Sequence, residues 1–280
     1  MNQFIRDYID KLQRVSSDEG LTELYHWFWD NQESIKRTAE DINRELRLDG
    51  DYALKPDLPC LSMGARRGLL FLLVNPGWSA ELNRQEDEYC RKSKDHYTDL
   101  VFNFFTRHPQ VVGKRIGFTA QMISLVGVLR DGAARFGHSR TPDVKWQRAQ
   151  DSGLLGHWEL FPFHSAKDGV TRYVNRLPWV SLCIKESALA TLRFEPECLL
   201  AMSKEGWNLL RNELFPQADW QDDVVGSPAT RLSYCVVPGQ RRNTEIVAIA
   251  RQVLSSHRIC TNRELFEAVN RLRQRGVTPL

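Results

Sequence analysis

An α/β protein is what the sequence predicts: three layers, α/β/α, around a central four-stranded parallel sheet, with an N-terminal helical extension over residues 1–55 and the α/β domain over 56–280. Three observations predict it. Four short, mostly apolar runs each end at a Pro or Gly and lead into a stretch with helical periodicity. Alternation of this kind means a parallel sheet with helices on both faces. The first run, Leu69 to Val74, is apolar without a break, the pattern of a strand buried on both sides. With 280 residues, 42% hydrophobic and 26% charged, the chain has ordinary globular composition and room for one large domain with appendages.

The elements follow in order. Phe4, Ile5, Tyr8, Ile9 and Leu12 make one helical stripe, and Ile35, Ala39, Ile42 and Leu46 make another. Between them Leu21 to Trp29 is so rich in Leu, Tyr, Trp and Phe that it has to dock, either as a lid on the α/β core or on a partner. KPDLPC at 55–60 closes the region as a proline-containing connection. Strand one, 69–74, stops at Asn75-Pro76-Gly77, where Pro76 fixes φ and Gly77 admits positive φ. A long insertion at about 79–156 begins polar and then turns helical through Tyr97, Leu100, Val101, Phe104 and Phe105. A further helix is expected over 121–129 and a loop over 131–151. The second strand spans His157 to Phe161, and Pro162 ends it, leaving Phe163, His164 and Ser165 on the exit loop. A helix from Pro178 to Leu192 follows, then a strand from Cys198 to Met202 and a helix entered near Lys204. The fourth strand, Ser233 to Val237, ends at Pro238-Gly239. Gln240-Arg241-Arg242-Asn243 then leads into a helix over 244–254, and a basic helix closes the chain over 263–275.

Several function classes drop out. No apolar run approaches the roughly 20 residues that span a bilayer, and the charged N-terminus lacks a signal-peptide core, so a cytoplasmic protein is expected. The six cysteines form no CxxC pair and read as buried free thiols. There is no P-loop, no GxGxxG after a strand, no GxSxG and no HExxH. Charge is uneven: residues 241–275 hold eight arginines against three glutamates, leaving 30 basic and 32 acidic residues elsewhere. Such a run is either a phosphate-binding face or a solvated helical face.

The turn at Val74-Asn75-Pro76-Gly77 resembles the first motif of the uracil-DNA glycosylase superfamily, in particular its mismatch-specific branch. The resemblance covers about residues 65–255 and implies a metal-free, cofactor-free DNA glycosylase that flips a base and breaks its N-glycosidic bond. In that reading Asn75 positions the attacking water, and Pro76, Gly77 and Trp78 line the base. The carboxyl edge of an open α/β sheet is where ligands bind, which suits an amide at this place. His164 is the candidate to hydrogen-bond the base or its departing anion, with Phe163 as a stacking ring and Ser165 beside it. Gln240, Arg241, Arg242 and Asn243 are the candidate grip on phosphates or on a polar base modification. The family begins its second motif with His or Asn followed by Pro-Ser, whereas this chain has Val237-Pro238-Gly239. That departure points away from plain uracil and toward a modified base. Some prokaryotic relatives look like defence enzymes acting on hypermodified phage DNA.

Blander roles stand beside each of these. Asn75 could instead cap a turn, His164 could be a structural or surface histidine, Phe161 (the other candidate stacking ring) could be plain core, and the arginines could be surface charge. A non-catalytic nucleic-acid-binding module on the same fold is the competing function. An interaction protein docking through its aromatic N-terminal helices is the third.

Overall fold

The computed structural model describes residues 1–73, 87–107, 152–166, 177–201, 204–225, 230–239, 245–252, 273, 274 and 276. The chain divides into two compact units. Unit 1 comprises Met1–Met63, Leu73–Asn103 and Trp158–Phe194; unit 2 comprises Gly64–Leu72, Phe104–His157 and Glu195–Leu280. Residue 55, the boundary expected from the sequence, lies inside unit 1.

Unit 1 opens with three helices. In α1 (Gln3–Leu12) the Asn2 side chain accepts from Ile5 N, and the expected stripe of Phe4, Ile5, Tyr8, Ile9 and Leu12 is buried. Its far end is capped by a side chain distant in sequence. Arg193 Nε donates to Val15 O at 2.7 Å and Nη2 donates to Leu12 O. Burial pulls the Arg193 guanidinium below its ordinary pKa. Helix α2 (Asp18–Asp30) starts at a Ser17 cap with Asp18 and Glu19 in its first turn, and buries Leu21, Leu24, Tyr25 and Phe28. The expected docking of this aromatic segment is realised by Tyr25, whose hydroxyl accepts from Ser62 N (2.7 Å) and donates to Ser62 O (2.9 Å). Helix α3 (Gln32–Leu46) buries Ile35, Ala39, Ile42 and Leu46 and ends at Arg47 with φ 53°. Helix α4 (Lys94–Arg107) buries Tyr97, Leu100 and Val101, and the Tyr97 hydroxyl donates to Pro59 O. Helix α5 (Pro178–Leu192) begins with Pro at its first turn, as the sequence predicts.

The strands are β1 (Ser62–Gly64), β2 (Leu69–Leu73), β3 (Leu155–Glu159), β4 (Cys198–Ala201), β5 (Gln221–Val225), β6 (Thr230–Pro238) and β7 (Glu245–Gln252). They hydrogen-bond in the order β1-β3-β2-β4-β7-β6-β5. β4 pairs parallel with β2 and with β7, whereas β6 pairs antiparallel with both β7 and β5. Helix α6 (Lys204–Asn208) follows β4 and runs into a π-helical turn, Leu209–Leu214. Gly68 and Gly156 allow close strand approach: a Cβ at either would fall inside van der Waals contact with the backbone of Leu154 or Ala65, respectively.

The protein is therefore mixed α/β, and the expected sheet needs correcting. The segment read as a helix over 244–254 is strand β7, and the fourth expected strand, 233–237, lies within β6 and runs antiparallel to it. The unit after Gly239 is thus a hairpin rather than strand–turn–helix. Ile246 to Ala250 is a five-residue apolar run, too short for periodicity to separate helix from strand; Ile246, Val247 and Ile249 are β-branched and favour the pleated surface. The expected helices over 121–129 and 263–275, and the loop over 131–151, fall outside the described residues or nearly so. The five described cysteines, Cys60, Cys90, Cys183, Cys198 and Cys235, are free and buried. No described helix is long and apolar enough to cross a membrane.

Candidate functional site

Strand register defines the edge where a site would lie. In unit 2, Leu72 pairs with Ala201, Ala201 with Ala250, Ala250 with Ser233 and Ser233 with Asp222. This row crosses the sheet at the carboxyl ends of the parallel strands β2, β4 and β7. In unit 1 the exits of β2 and β3 meet directly: Leu160 N donates to Leu73 O at 2.7 Å. Asn75 follows Leu73 by two residues in sequence; Asn75, Pro76, Gly77 and Trp78 themselves lie outside the described residues.

After Leu160 the chain turns inward. Phe163, His164 and Ser165 are all buried, at 0%, 3% and 1% exposure. The Phe163 ring packs 5.5 Å from that of Phe161 and 6.4 Å from that of Phe4 on α1, so here it is core rather than an open stacking surface. The carbonyl of His164 accepts from Lys55 N at 2.8 Å, which ties the exit loop to the 55–60 connection. Buried aromatic neighbours explain this placement. Phe161 and Phe163 carry large apolar area that the fold removes from water, and they draw His164 and Ser165 in with them.

Sequence reasoning passed over Glu159. It is the last residue of β3, its side chain is 4% exposed, and its backbone N–H donates to Leu61 O. Side chains alternate along a strand. Trp158 therefore faces the other way, where its Nε1 donates to Ser187 Oγ at 2.8 Å. An acid inside an apolar strand costs free energy to bury, and that cost was the signal available in His157 to Phe161.

No family model, curated protein or solved structure matches this chain. The site has to be read from its own geometry.

Unit 2 supplies a built polar cluster on the same transverse row. Arg211, in the π-helical turn, donates from Nη1 to Asp222 Oδ1 (2.6 Å) and to Ser233 Oγ (2.9 Å). Trp207 Nε1 also donates to Ser233 Oγ, at 3.0 Å. The guanidinium lies 4.8 Å from the Trp207 ring centre and 5.4 Å from that of Trp220, so two indole faces attract one cation. Trp220 Nε1 is held by Phe215 O at 3.0 Å. Ser233 is fully buried, and the cluster fixes β5 and β6 to the turn that follows α6. Two residues along β6, burial pushes the Cys235 thiol up to about 12, against the pull of the Arg211 charge.

Gln240, Arg241, Arg242 and Asn243 lie outside the described residues, but the strands on either side of them are described. Pro238 pairs with Glu245, and Val236 with Val247, which pairs with Cys198; Cys198 pairs with Leu69, the first residue of β2. The β6–β7 connection therefore leaves the sheet at the edge where β2 and β4 begin. From Glu245 to Ala250 is about 17 Å at roughly 3.3 Å per residue. The described ends of these strands, Pro238 and Glu245, thus lie at the end of the sheet opposite to Leu72. Among the described residues, no group of three or more His, Cys, Asp and Glu side chains is arranged to hold a metal ion.

Proposed function

We propose that this chain is a DNA glycosylase of the uracil-DNA glycosylase type, with that superfamily's three-layer core, acting on a flipped, non-standard or modified base and leaving an abasic site. The observation that carries the reading is the 2.7 Å bond between Leu160 N and Leu73 O. It brings the strand leading to Asn-Pro-Gly alongside the strand leading to His164, at the edge where open α/β sheets bind ligands.

Breaking an N-glycosidic bond needs a positioned water, stabilisation of the departing base and access to a base outside the stack. In this reading Asn75 holds the water through its carboxamide. An amide is no strong base, and an oxocarbenium-like sugar asks little of one. His164 hydrogen-bonds the base or its leaving anion from the adjacent exit, and Pro76, Gly77 and Trp78 line the pocket. The missing His or Asn before Pro238 favours a substrate other than plain uracil, with hypermodified phage DNA as one source.

Burial of Phe163, His164 and Ser165 supports a second reading, a nucleic-acid-binding module without catalysis, in which these three residues only complete the core. One experiment separates the two. Purified protein and its Asn75→Ala variant are incubated with DNAs containing uracil, mismatches, hydroxymethylcytosine or glucosylated hydroxymethylcytosine, and abasic sites are revealed by alkaline cleavage. A glycosylase yields strand breaks from one substrate, and Asn75→Ala loses them by a factor of about 100 or more, the scale of a key positioning contact, with DNA binding retained. Binding without cleavage on every substrate would leave the binding module standing.

A further inference from the structure

We infer that unit 1 carries a separate small-molecule site, a cleft between α1, α3 and the start of α5 that takes an organic cation, an aromatic ring bearing an alkylammonium head. The cleft shares no residue with the site at the strand exits and does not depend on the nucleic-acid reading.

The cleft encloses about 380 Å³, within the roughly 300–1,000 Å³ of small-molecule sites. Its floor is apolar, made by Ile5 of α1 and Ile42 of α3, both buried. Trp179, in the first turn of α5, forms a half-buried wall, and the Phe161 ring lies 6.4 Å from its own. Asn2 lines the cleft as well, but its amide is committed to the fold. Its Oδ1 accepts from Ile5 N at 3.0 Å and its Nδ2 donates to Thr38 Oγ1 at 3.0 Å. This amide ties the start of α1 to α3, so two walls are held in place without a ligand, and little ordering cost is left for binding.

Charge at the rim selects what enters. The three charged side chains that line the cleft all stand on α3. Arg44 Nη2 donates to Asp41 Oδ1 at 2.7 Å, so these two neutralise each other. Glu45 is exposed in the last turn of α3 and forms no ion pair among the described residues. Its carboxylate is the charge left over. The carbonyl end of α3 adds partial negative charge on the same side, whereas α1 and α5 begin at the cleft and present partial positive charge. A positive head therefore belongs beside Glu45, held by a charge-assisted hydrogen bond. The ring belongs over Ile5 and Ile42, where it is removed from water, and against the indole of Trp179 in an offset or edge-on contact.

The test is calorimetric titration of the full chain with tryptamine, tryptophol and indole-3-propionate. These share one ring and one linker and differ in a positive, neutral or negative head. Tryptamine is expected to bind about tenfold more tightly than tryptophol, the scale of one charge-assisted bond, and indole-3-propionate most weakly of the three. Glu45→Gln should bring tryptamine down to the level of tryptophol and leave tryptophol unchanged. Arg44→Gln releases the Asp41 carboxylate and should tighten tryptamine by about threefold, a sign that loss of structure would not produce. Trp179→Ala should weaken all three by about fivefold. If that variant fails to fold by circular dichroism, the two rim variants decide, since both replace exposed side chains. Equal affinity for the three heads overturns the inference, as does tryptamine binding that Glu45→Gln leaves unchanged. Absence of heat with tryptamine at millimolar concentration overturns it too.

Discussion

Arg193 in unit 1 and Arg211 in unit 2 do similar jobs by different physics. Arg193 reaches from the end of α5 to the carbonyls of Leu12 and Val15, capping the orphan end of α1 with charge-assisted bonds to neutral acceptors. Arg211 bonds a carboxylate and a hydroxyl and lies against two indole rings. The contrast extends to the neighbours. In unit 1 two buried tyrosines tie α2 and α4 down with neutral groups on backbone, Tyr25 to Ser62 and Tyr97 to Pro59. Unit 2 ties its hairpin down with an ion pair whose partners are 21% and 44% exposed. Neutral bonds buried from water do not feel salt, and exposed ion pairs do. The two units should therefore answer differently to the same perturbations.

The largest effect is expected in unit 1. Tyr25→Phe removes one hydroxyl that serves both the N–H and the C=O of Ser62, and Tyr25 is fully buried. Each buried polar group stranded in this way costs about 1–3 kcal/mol. Urea unfolding should show a loss of about 2–4 kcal/mol, the same at low and high salt. A loss below about 1 kcal/mol would mean that Ser62 finds another partner, and the neutral-pin account of unit 1 would fall with it.

How much of this was legible beforehand follows from the kind of interaction involved. β2, β4 and α5 could be read almost to the residue, because an unbroken apolar run or a Pro at a first turn is a local signal. β7 could not. Its five-residue apolar core is locally ambiguous, and it is a strand because β4 and β6 flank it, a fact spread over some fifty residues of sequence. The same non-locality governs the site. Asn75 stood out by its turn, but which end of the sheet Pro238 and Glu245 occupy depends on whether β6 runs parallel or antiparallel, which no local pattern records. The packing of Phe163 likewise involves Phe4, about 160 positions away. The Arg211 cluster gave no sequence signal either, since Trp207, Arg211, Trp220 and Ser233 converge only after three elements have packed.

The next effect in size belongs to unit 2. Arg211→Ala removes a cation from two indole faces, each worth about 0.5–1 kcal/mol at a partly exposed site. It also removes an ion pair worth no more than about 1 kcal/mol. A loss of about 1–3 kcal/mol is expected, with a change in tryptophan fluorescence because Trp207 and Trp220 lose the charge between them. Arg211→Lys keeps the charge but not the planar fork, and should recover only part of both signals. In high salt the cost of Arg211→Ala should shrink by the ion-pair share alone. If it vanishes, the indoles contribute nothing and the cluster is an ordinary surface bridge.

That distinction is sharpened by the smallest effect, in a pair that lacks the indoles. Lys94 Nζ meets Asp30 Oδ2 at 2.7 Å, joining α4 to α2 within unit 1, with side chains 38% and 57% exposed. The contact is about as short as the one between Arg211 and Asp222, so distance alone would rank the two as equals. Solvent argues otherwise. An exposed pair gains little Coulomb energy in high dielectric and spends side-chain entropy to hold its geometry, so Lys94→Ala should cost about 0–0.5 kcal/mol and nothing measurable in high salt. A double-mutant cycle over Lys94 and Asp30, beside one over Arg211 and Asp222, turns the comparison into two coupling energies. Equal couplings would assign the hold on the β5–β6 hairpin to charge. A larger residual cost of Arg211→Ala after its coupling is subtracted would assign it to the two tryptophans, because stacking on an indole survives removal of the carboxylate.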